Sequence, residues 1–197
     1  MTRLTGLWEQ RLDVDTPYGK PLKSVDLPNA KPGSPPVKLH YLCPLACWSL
    51  LVVLVPSLWP VLEAMARKFQ HTFKLLLYND GATAGNVLNY DPAKAMEMVY
   101  MSFEEFEGRL SSIDAWCCIC CIRTRRAKDI QGGLSRVASF LFEEAKKMGD
   151  QLMIQGPPGH EPLYVRVQMG CFISDEAAQH AVFSFKGRPP THPPANF

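Results

Sequence analysis

The chain has 197 residues, of which 47% are hydrophobic and 20% are charged, and its formal net charge is +2. This length fits one compact domain with additional tails. The small net charge argues against a general nucleic-acid-binding protein, which usually carries a strongly basic stripe. We therefore expect no nucleic acid among the partners.

Residues 1–40 are predicted to form an extended N-terminal arm. Prolines recur between Pro17 and Pro36 without any apolar periodicity. Pro-rich segments favour extended chain and do not build a core of their own. The first twelve residues, MTRLTGLWEQRL, lack the apolar run of a secretory signal. We expect the arm to lie on the surface of another subunit.

The stretch LCPLACWSLLVVLVPSLWPVL, residues 42–62, contains no charged side chain. A helix of about 20 apolar residues spans a bilayer core of about 30 Å, so residues 41–70 are predicted to form a transmembrane helix kinked by proline. Trp48 and Trp59 would lie near the two membrane interfaces, and Arg67 and Lys68 would mark the return to water. An alternative is a buried helix over residues 45–55 followed by a second helix from Pro60.

Residues 71–187 are predicted to form a small α+β domain. Turn and capping signals indicate helices over residues 92–101, 102–126 and 135–148. The segments QLMIQ, LYVRVQM and AVFSFK are typical of short strands. Residues 188–197 form a Pro-rich tail. The predicted fold class is α+β, with one Pro-kinked transmembrane helix, about three further helices, a small C-terminal antiparallel sheet and extended Pro-rich arms.

The segment CCICC raises three alternatives for its four cysteines, which are Cys117, Cys118, Cys120 and Cys121. Buried cysteine packs as a small hydrophobe, and this interpretation is favoured. S-acylation is the second, with Arg123, Arg125 and Arg126 contacting lipid headgroups. The third is metal binding through the C-x-x-C spacing, in which the single pair stands alone unless Cys43 and Cys47 complete it, and they could do so only if residues 42–62 are not in a membrane. We therefore predict no metal and no cofactor.

No nucleotide-binding, metalloprotease or hydrolase motif occurs in the sequence, so we predict that the protein is not an enzyme. The predicted function is an accessory, structural subunit of a large multi-subunit membrane complex. Its predicted location is an energy-transducing membrane such as the mitochondrial inner membrane, which it would cross once. Its partners would be other subunits and membrane lipid. The alternatives are an S-acylated, membrane-associated adaptor and a small cysteine-ligated metal or redox protein.

Overall fold

The computed structural model describes residues 14–83, 95–112 and 115–174. Its centre is one mixed sheet that curves into a half-barrel. The strands are β1 Leu22–Leu27, β2 Val37–Leu42, β3 Thr72–Thr83, β4 Ala95–Phe103, β5 Cys117–Arg123, β6 Leu152–Ile154 and β7 Leu163–Ser174. They are arranged in the order β1-β2-β5-β4-β3-β7-β6. Every neighbouring pair is antiparallel except β3 and β7, which are parallel.

The helices are α1 Pro44–Leu54, α2 Leu58–Lys68, α3 Thr124–Lys128 and α4 Gly133–Lys146, and a 3-10 segment covers Glu104–Ser111. Helices α1 and α4 pack on the same face of the sheet, which we call the helix face. Trp48 of α1 stacks on Phe103 of β4, with ring centroids 4.3 Å apart. Tyr41 of β2 makes an edge contact at 4.9 Å with Phe140 of α4.

Alternate residues of the strands fill the core on the helix face. This follows from the strand period of two, which sends successive side chains to opposite faces. The buried side chains of the central strands are Phe73, Leu75 and Leu77 in β3 and Val99, Met101 and Phe103 in β4. Removal of such apolar surface from water is the main force that holds the helices on the sheet.

One polar contact is buried between β2 and α4. The Tyr41 hydroxyl donates a hydrogen bond to the Glu144 carboxylate at 3.2 Å, and Lys147 pairs with the same carboxylate. Burial raises the pKa of Tyr41, and the negative charge of Glu144 adds to the rise. The phenol therefore remains a neutral donor, and the carboxylate has partners on both sides.

The predicted transmembrane helix is wrong. Residues 42–62 comprise the end of β2, the whole of α1, a break at Val55–Ser57 and the first part of α2. Pro56 lacks the N–H that would continue α1 and its ring would clash with the preceding turn. Pro60 is accommodated in the first turn of α2, where a missing N–H costs little. Within the described chain, no helix has the length and apolar character needed to cross a membrane.

The predicted single-pass membrane location is also wrong, because it depended on that helix. Each of the two helices has 11 residues, about 16 Å at 1.5 Å per residue. Seven residues of α1 are buried in the protein, which explains its apolar sequence without lipid. The alternative of a buried helix followed by a second helix is the arrangement that the structure has, with the second helix beginning at Leu58 instead of Pro60.

The rest of the predicted fold class is also corrected, because the sheet dominates the fold. Much of the region predicted as two helices over residues 92–126 forms β4 and β5, whereas the third helix is present as α4. Strands β6 and β7 pair antiparallel as expected, but they belong to the large sheet. The predicted N-terminal arm contributes β1 and most of β2. Residues 1–13, the predicted strand at 181–186 and the tail at 188–197 lie outside the described residues.

Candidate functional site

The face of the sheet opposite α1 and α4, which we call the open face, carries several sulfur-bearing and aromatic side chains. Its central side chains are Tyr78, Asp80, Met96, Met98, Tyr100, Cys118, Cys121, Arg123, Cys171 and Ile173. These ten side chains are half-buried or exposed, although Leu76 and Ser102 of the same face are buried, and their neighbours on the helix face are mostly buried. A solvated sheet face normally alternates to polar residues, so sulfur and aromatic groups here indicate a binding surface.

Two β-bulges determine which residues reach the open face. In β5, Val99 pairs with Cys120 and Tyr100 with Cys118, so Ile119 is an extra residue. Without this bulge, Cys118 and Cys121 would point to opposite faces, because they are three residues apart. The bulge places both on the open face.

The second bulge lies in β7, where Leu75 pairs with Met169 and Leu76 with Cys171, leaving Gly170 as the extra residue. A Cβ atom on Gly170 would lie 2.7 Å from the carbonyl oxygen of Leu75. The close approach of the two backbones therefore requires glycine. Beyond the bulge, Ile173 pairs with Tyr78 and joins the open face.

Four sulfur-bearing side chains form what we call the sulfur cluster, which consists of Met96, Met98, Cys118 and Cys121. Met98 and Cys121 are directly opposite each other in the antiparallel register. The sulfur atoms of Cys121 and Met96 are 3.9 Å apart. The Tyr100 hydroxyl donates to the Met98 sulfur at 3.2 Å. The cluster is thus continuous with the aromatic residues on its other side.

The thiols of CCICC are poor nucleophiles at neutral pH. Burial raises the pKa of Cys118 to about 11, and the nearby Cys121 thiol adds to the rise, against a small opposite effect of a backbone hydrogen bond. Burial also raises the pKa of Cys121. For Cys120, burial and then its two neighbours raise the pKa to about 12. For all three thiols the effect of burial is the largest, and the net result disfavours the thiolate.

An aromatic pocket lies at the other end of the open face, with a volume of about 390 Å³. Its walls are Tyr78, Asp80, Tyr100, Leu110, Ser111, Ser112, Trp116 and Ile173. The ring centroid of Tyr78 is 6.0 Å from that of Tyr100 and 5.8 Å from that of Trp116. The Trp116 indole N–H donates to the carbonyl of Leu110 at 3.0 Å, which fixes the ring.

The two tryptophans predicted at membrane interfaces are core residues. Trp48 is 1% exposed and lies between α1 and the aromatic rings of Phe103 and Phe106. Trp59 is 3% exposed, and its N–H donates to Nδ1 of His160 at 3.1 Å. Their sequence positions matched a membrane belt, but their surroundings are protein.

The basic residues predicted to contact lipid are exposed at helix and strand ends. Arg67 and Lys68 occupy the last turn of α2, where positive charge complements the helix dipole. Lys68 also forms an ion pair with Glu107 at 2.7 Å.

Arg123 ends β5 on the open face, and Arg125 and Arg126 follow in α3. The ion pairs among the described residues include none of these three arginines. The end of β5 is therefore a basic rim of the open face.

The four cysteines of CCICC do not form one ligand set. Cys117 is paired with Cys47 of α1 as a disulfide on the helix face. Cys120 is buried, Cys118 is half-buried and Cys121 is exposed. In the described part of the chain, no three His, Cys, Asp or Glu side chains come together as metal ligands. Of the four, Cys121 alone has the exposure that S-acylation requires.

Several open-face residues were missed by the sequence prediction. Tyr78, Tyr100, Met96 and Met98 were treated as parts of a strand or helix without a functional role. The signal that could have revealed this face is the register between AMEMVYM and CCICC. The sulfur-bearing and aromatic side chains of the two segments share one face only if CCICC contains one extra, unpaired residue. A single sequence does not reveal a bulge, and so the shared face was not predicted.

Comparison with known proteins adds no assignment. No protein-family model, curated protein or solved structure matches the chain. The function is therefore inferred from the open face itself.

Proposed function

We propose that the protein is a structural, non-catalytic subunit of a multi-protein assembly, and that a neighbouring subunit covers its open face. The observation that carries the proposal is the composition of this face at the centre of the sheet. Met98, Tyr100 and Cys118 are half-buried there, and Ile173 is 41% exposed. Contiguous exposed apolar surface marks interaction sites.

The residue types support a protein partner. Tyr, Trp, Met and Arg are enriched in the buried centres of protein interfaces, whereas Lys and Glu are depleted. Methionine adapts its shape to irregular partner surfaces because its side chain is unbranched and polarizable. The open face has two methionines and two tyrosines at its centre and an arginine at its border.

The charge of the border specifies the partner further. Arg123 lies next to Met96 across the β4–β5 pair, and the exposed Arg125, Arg126 and Lys128 follow in α3. A complementary surface therefore has an apolar centre and an acidic rim on the side that faces α3. Charge complementarity of this kind sets orientation and association rate more than affinity.

The test uses the full-length protein, tagged and isolated from its own cells under native conditions. The Met98→Asp variant places a charge in the centre of the open face. Val53→Asp is the matched control, because Val53 is 51% exposed on α1, on the other side of the sheet. Native mass and subunit composition are measured against the 22.1 kDa monomer.

We expect wild type and Val53→Asp to form one assembly of fixed stoichiometry, and Met98→Asp to be released from it. Circular dichroism must show that Met98→Asp remains folded. A wild-type chain that is monomeric in the native extract would contradict the proposal. So would a folded Met98→Asp variant that keeps its partners.

A second candidate function, binding of a soft metal ion, is favoured by the sulfur cluster. The 3.9 Å between the sulfurs of Cys121 and Met96 suits two ligands of one ion, since metal–sulfur bonds to cysteine are about 2.3 Å. Soft thiolate and thioether ligands select Cu(I), zinc and iron–sulfur clusters, and Cu(I) is the softest ion of this group. The pKa values of the Cys118 and Cys121 thiols are raised, so both thiols are protonated before the metal binds and must release their protons when it binds.

Anaerobic titration of the reduced full-length protein with Cu(I), in competition with a chromophoric chelator, tests this alternative. Specific binding predicts one equivalent per chain, loss of affinity in Met96→Leu, and weaker binding as pH falls. Cys171→Ser is the control, since Cys171 is exposed and separate from the cluster. Equal uptake by wild type and Met96→Leu would exclude a site built on this cluster.

A further inference from the structure

The aromatic pocket has the construction of a cation-binding cage. Tyr78 stands between two other aromatic rings, at 6.0 Å from Tyr100 and 5.8 Å from Trp116. The two pairs differ in orientation, with interplanar angles of 27° and 59°. The rings therefore line more than one wall of the pocket and do not collapse into a single stack.

The protein holds these rings in place before any ligand arrives. Tyr78 and Tyr100 are register partners in the β3–β4 pair. The Trp116 ring is tied to Leu110, and the Tyr100 hydroxyl is tied to Met98. A preformed cage loses little conformational entropy when it binds.

Among the described residues that line the pocket, charge has one sign. Asp80 lines the pocket two residues beyond Tyr78 on the same face of β3, and none of the described lining residues is a lysine, arginine or histidine. The face of an aromatic ring carries partial negative charge because of its quadrupole. A cation within about 6 Å of the ring centroid is attracted, and a nearby carboxylate adds to this attraction.

We propose that the aromatic pocket binds a trimethylammonium group, as found in choline-type small molecules. A trimethylammonium ion has no N–H to donate, so the ring faces satisfy it without further hydrogen-bond acceptors. An unmethylated ammonium is compact and strongly hydrated, and it would lose water that this mainly apolar pocket does not replace. The volume of about 390 Å³ lies within the usual range for small-molecule sites.

The pocket shares Tyr78, Asp80, Tyr100 and Ile173 with the open face, so ligand binding is tested on the purified chain alone, where no neighbouring subunit covers that face and failure of this inference is distinguishable from failure of the proposed assembly. The same chemistry also occurs on trimethylated lysine. The described lining residues offer one carboxylate, that of Asp80, and otherwise aromatic, aliphatic and serine side chains, so they suit a cationic head group but supply no further charged contact for the flanking residues of a peptide. We therefore favour the small molecule and include the peptide as a separate arm of the test.

The experiment is calorimetric titration of the purified full-length protein, supported by NMR saturation transfer. The probes are choline, its neutral isostere 3,3-dimethylbutanol, ammonium chloride, and a short peptide that contains trimethyl-lysine. We expect choline to bind at least about tenfold more tightly than the isostere, because the two differ essentially in charge. Ammonium should show no binding.

Three variants locate the site. Tyr100→Leu removes one wall and should abolish choline binding, whereas Tyr100→Phe keeps the ring and should retain it. Asp80→Asn should weaken binding severalfold while leaving the cage intact. Tyr164→Leu is the matched control, because Tyr164 is 48% exposed on β7 outside the pocket.

Three results would overturn the proposal. The first is equal binding of choline and dimethylbutanol, which would show an apolar pocket without cation selectivity. The second is wild-type affinity in a folded Tyr100→Leu variant. Peptide binding without choline binding would reassign the site to a methylated protein and contradict the small-molecule assignment.

Discussion

At the residue scale, the cysteines differ sharply because their surroundings differ. Neighbours in sequence share no common environment. Cys117 is bonded to Cys47, Cys118 is half-buried beside Tyr100, Cys120 is buried and Cys121 is exposed. These differences arise from alternation along β5 and from its bulge. The sequence shows the four cysteines side by side but does not show the face on which each one lies, and that face determines how exposed each thiol is.

Alkylation by iodoacetamide should reveal this ranking. At pH 8, a thiol with a pKa of about 11, such as Cys118, is ionised to roughly 0.1%, against roughly a tenth for a thiol at the ordinary pKa of 9.0. We expect the exposed Cys171 to react first and Cys118 and Cys120 last. The rate at Cys118 should keep rising up to about pH 11. Peptide mass spectrometry of a time course gives each rate, and equal rates at all sites would contradict the structure.

The same shifts predict loss of stability in alkali. Cys118 and Cys120 have folded-state pKa values of about 11 and about 12, raised from 9.0. The unfolded chain therefore loses these protons first, and the free energy of unfolding falls as pH rises from about 9 to about 12. Urea unfolding at stepped pH measures the slope. A Cys120→Ala variant should show a flatter dependence, and an unchanged slope would contradict this origin.

At the element scale, the bulge in β7 should depend on Gly170. Its replacement by alanine forces a Cβ against the Leu75 carbonyl, 2.7 Å away. We expect Gly170→Ala to destabilise the protein by about 1–3 kcal/mol, as overpacking does. Gly108→Ala is the control, since a Cβ there meets nothing within 4 Å. Urea unfolding with a fixed m-value measures both variants, and equal effects would contradict the close approach.

The element scale also explains which secondary structure was predicted correctly. Strand β7 begins with the clean alternation of Leu163, Val165 and Val167, and α4 carries a continuous apolar stripe, so both were found. In β4, both faces carry apolar residues and the segment is rich in Ala, Met and Glu, which favour helices. Tertiary pairing with β3 and β5 overrode that local preference.

At the scale of the whole molecule, the Cys47–Cys117 disulfide joins α1 to the sheet. The two residues are 70 positions apart in sequence. In the chain-entropy model, a loop of this length corresponds to about 4 kcal/mol of stabilisation. Reduction should lower the urea midpoint of wild type, whereas a Cys47→Ser variant should no longer respond to reductant. Cys171→Ser should respond as wild type does, because Cys171 is a free thiol.

Thiol counting supports the same experiment independently. The denatured, non-reduced protein should contain five reactive thiols, corresponding to Cys43, Cys118, Cys120, Cys121 and Cys171. After reduction all seven cysteines should react. Seven thiols before reduction would show that the bond does not form.

The whole fold was the hardest feature to predict. The apolar stretch at 42–62 has the composition of a membrane helix, and local sequence does not distinguish lipid from protein as the covering layer. The residues that cover this stretch are distant in sequence, since Trp48 packs on Phe103 and Phe106, and only these contacts show that protein covers it. For the same reason the aromatic pocket was not predicted, because its walls come from β3, β4, β7 and the segment before β5.

The parallel pairing of β3 with β7 has a consequence for synthesis on the ribosome. Thr72 of β3 pairs with Arg166 of β7, so β3 cannot form this pairing until the ribosome has added 94 further residues (166 minus 72). At roughly 5–20 residues per second, this delay is about 5–20 s. During that interval β3 can pair only with β4, and its other edge is open to strands of neighbouring nascent chains. Overexpression should therefore favour aggregation of nascent chains before their synthesis is complete. Slower translation alone should not reduce this aggregation. A chaperone that shields the open edge of β3 should reduce it.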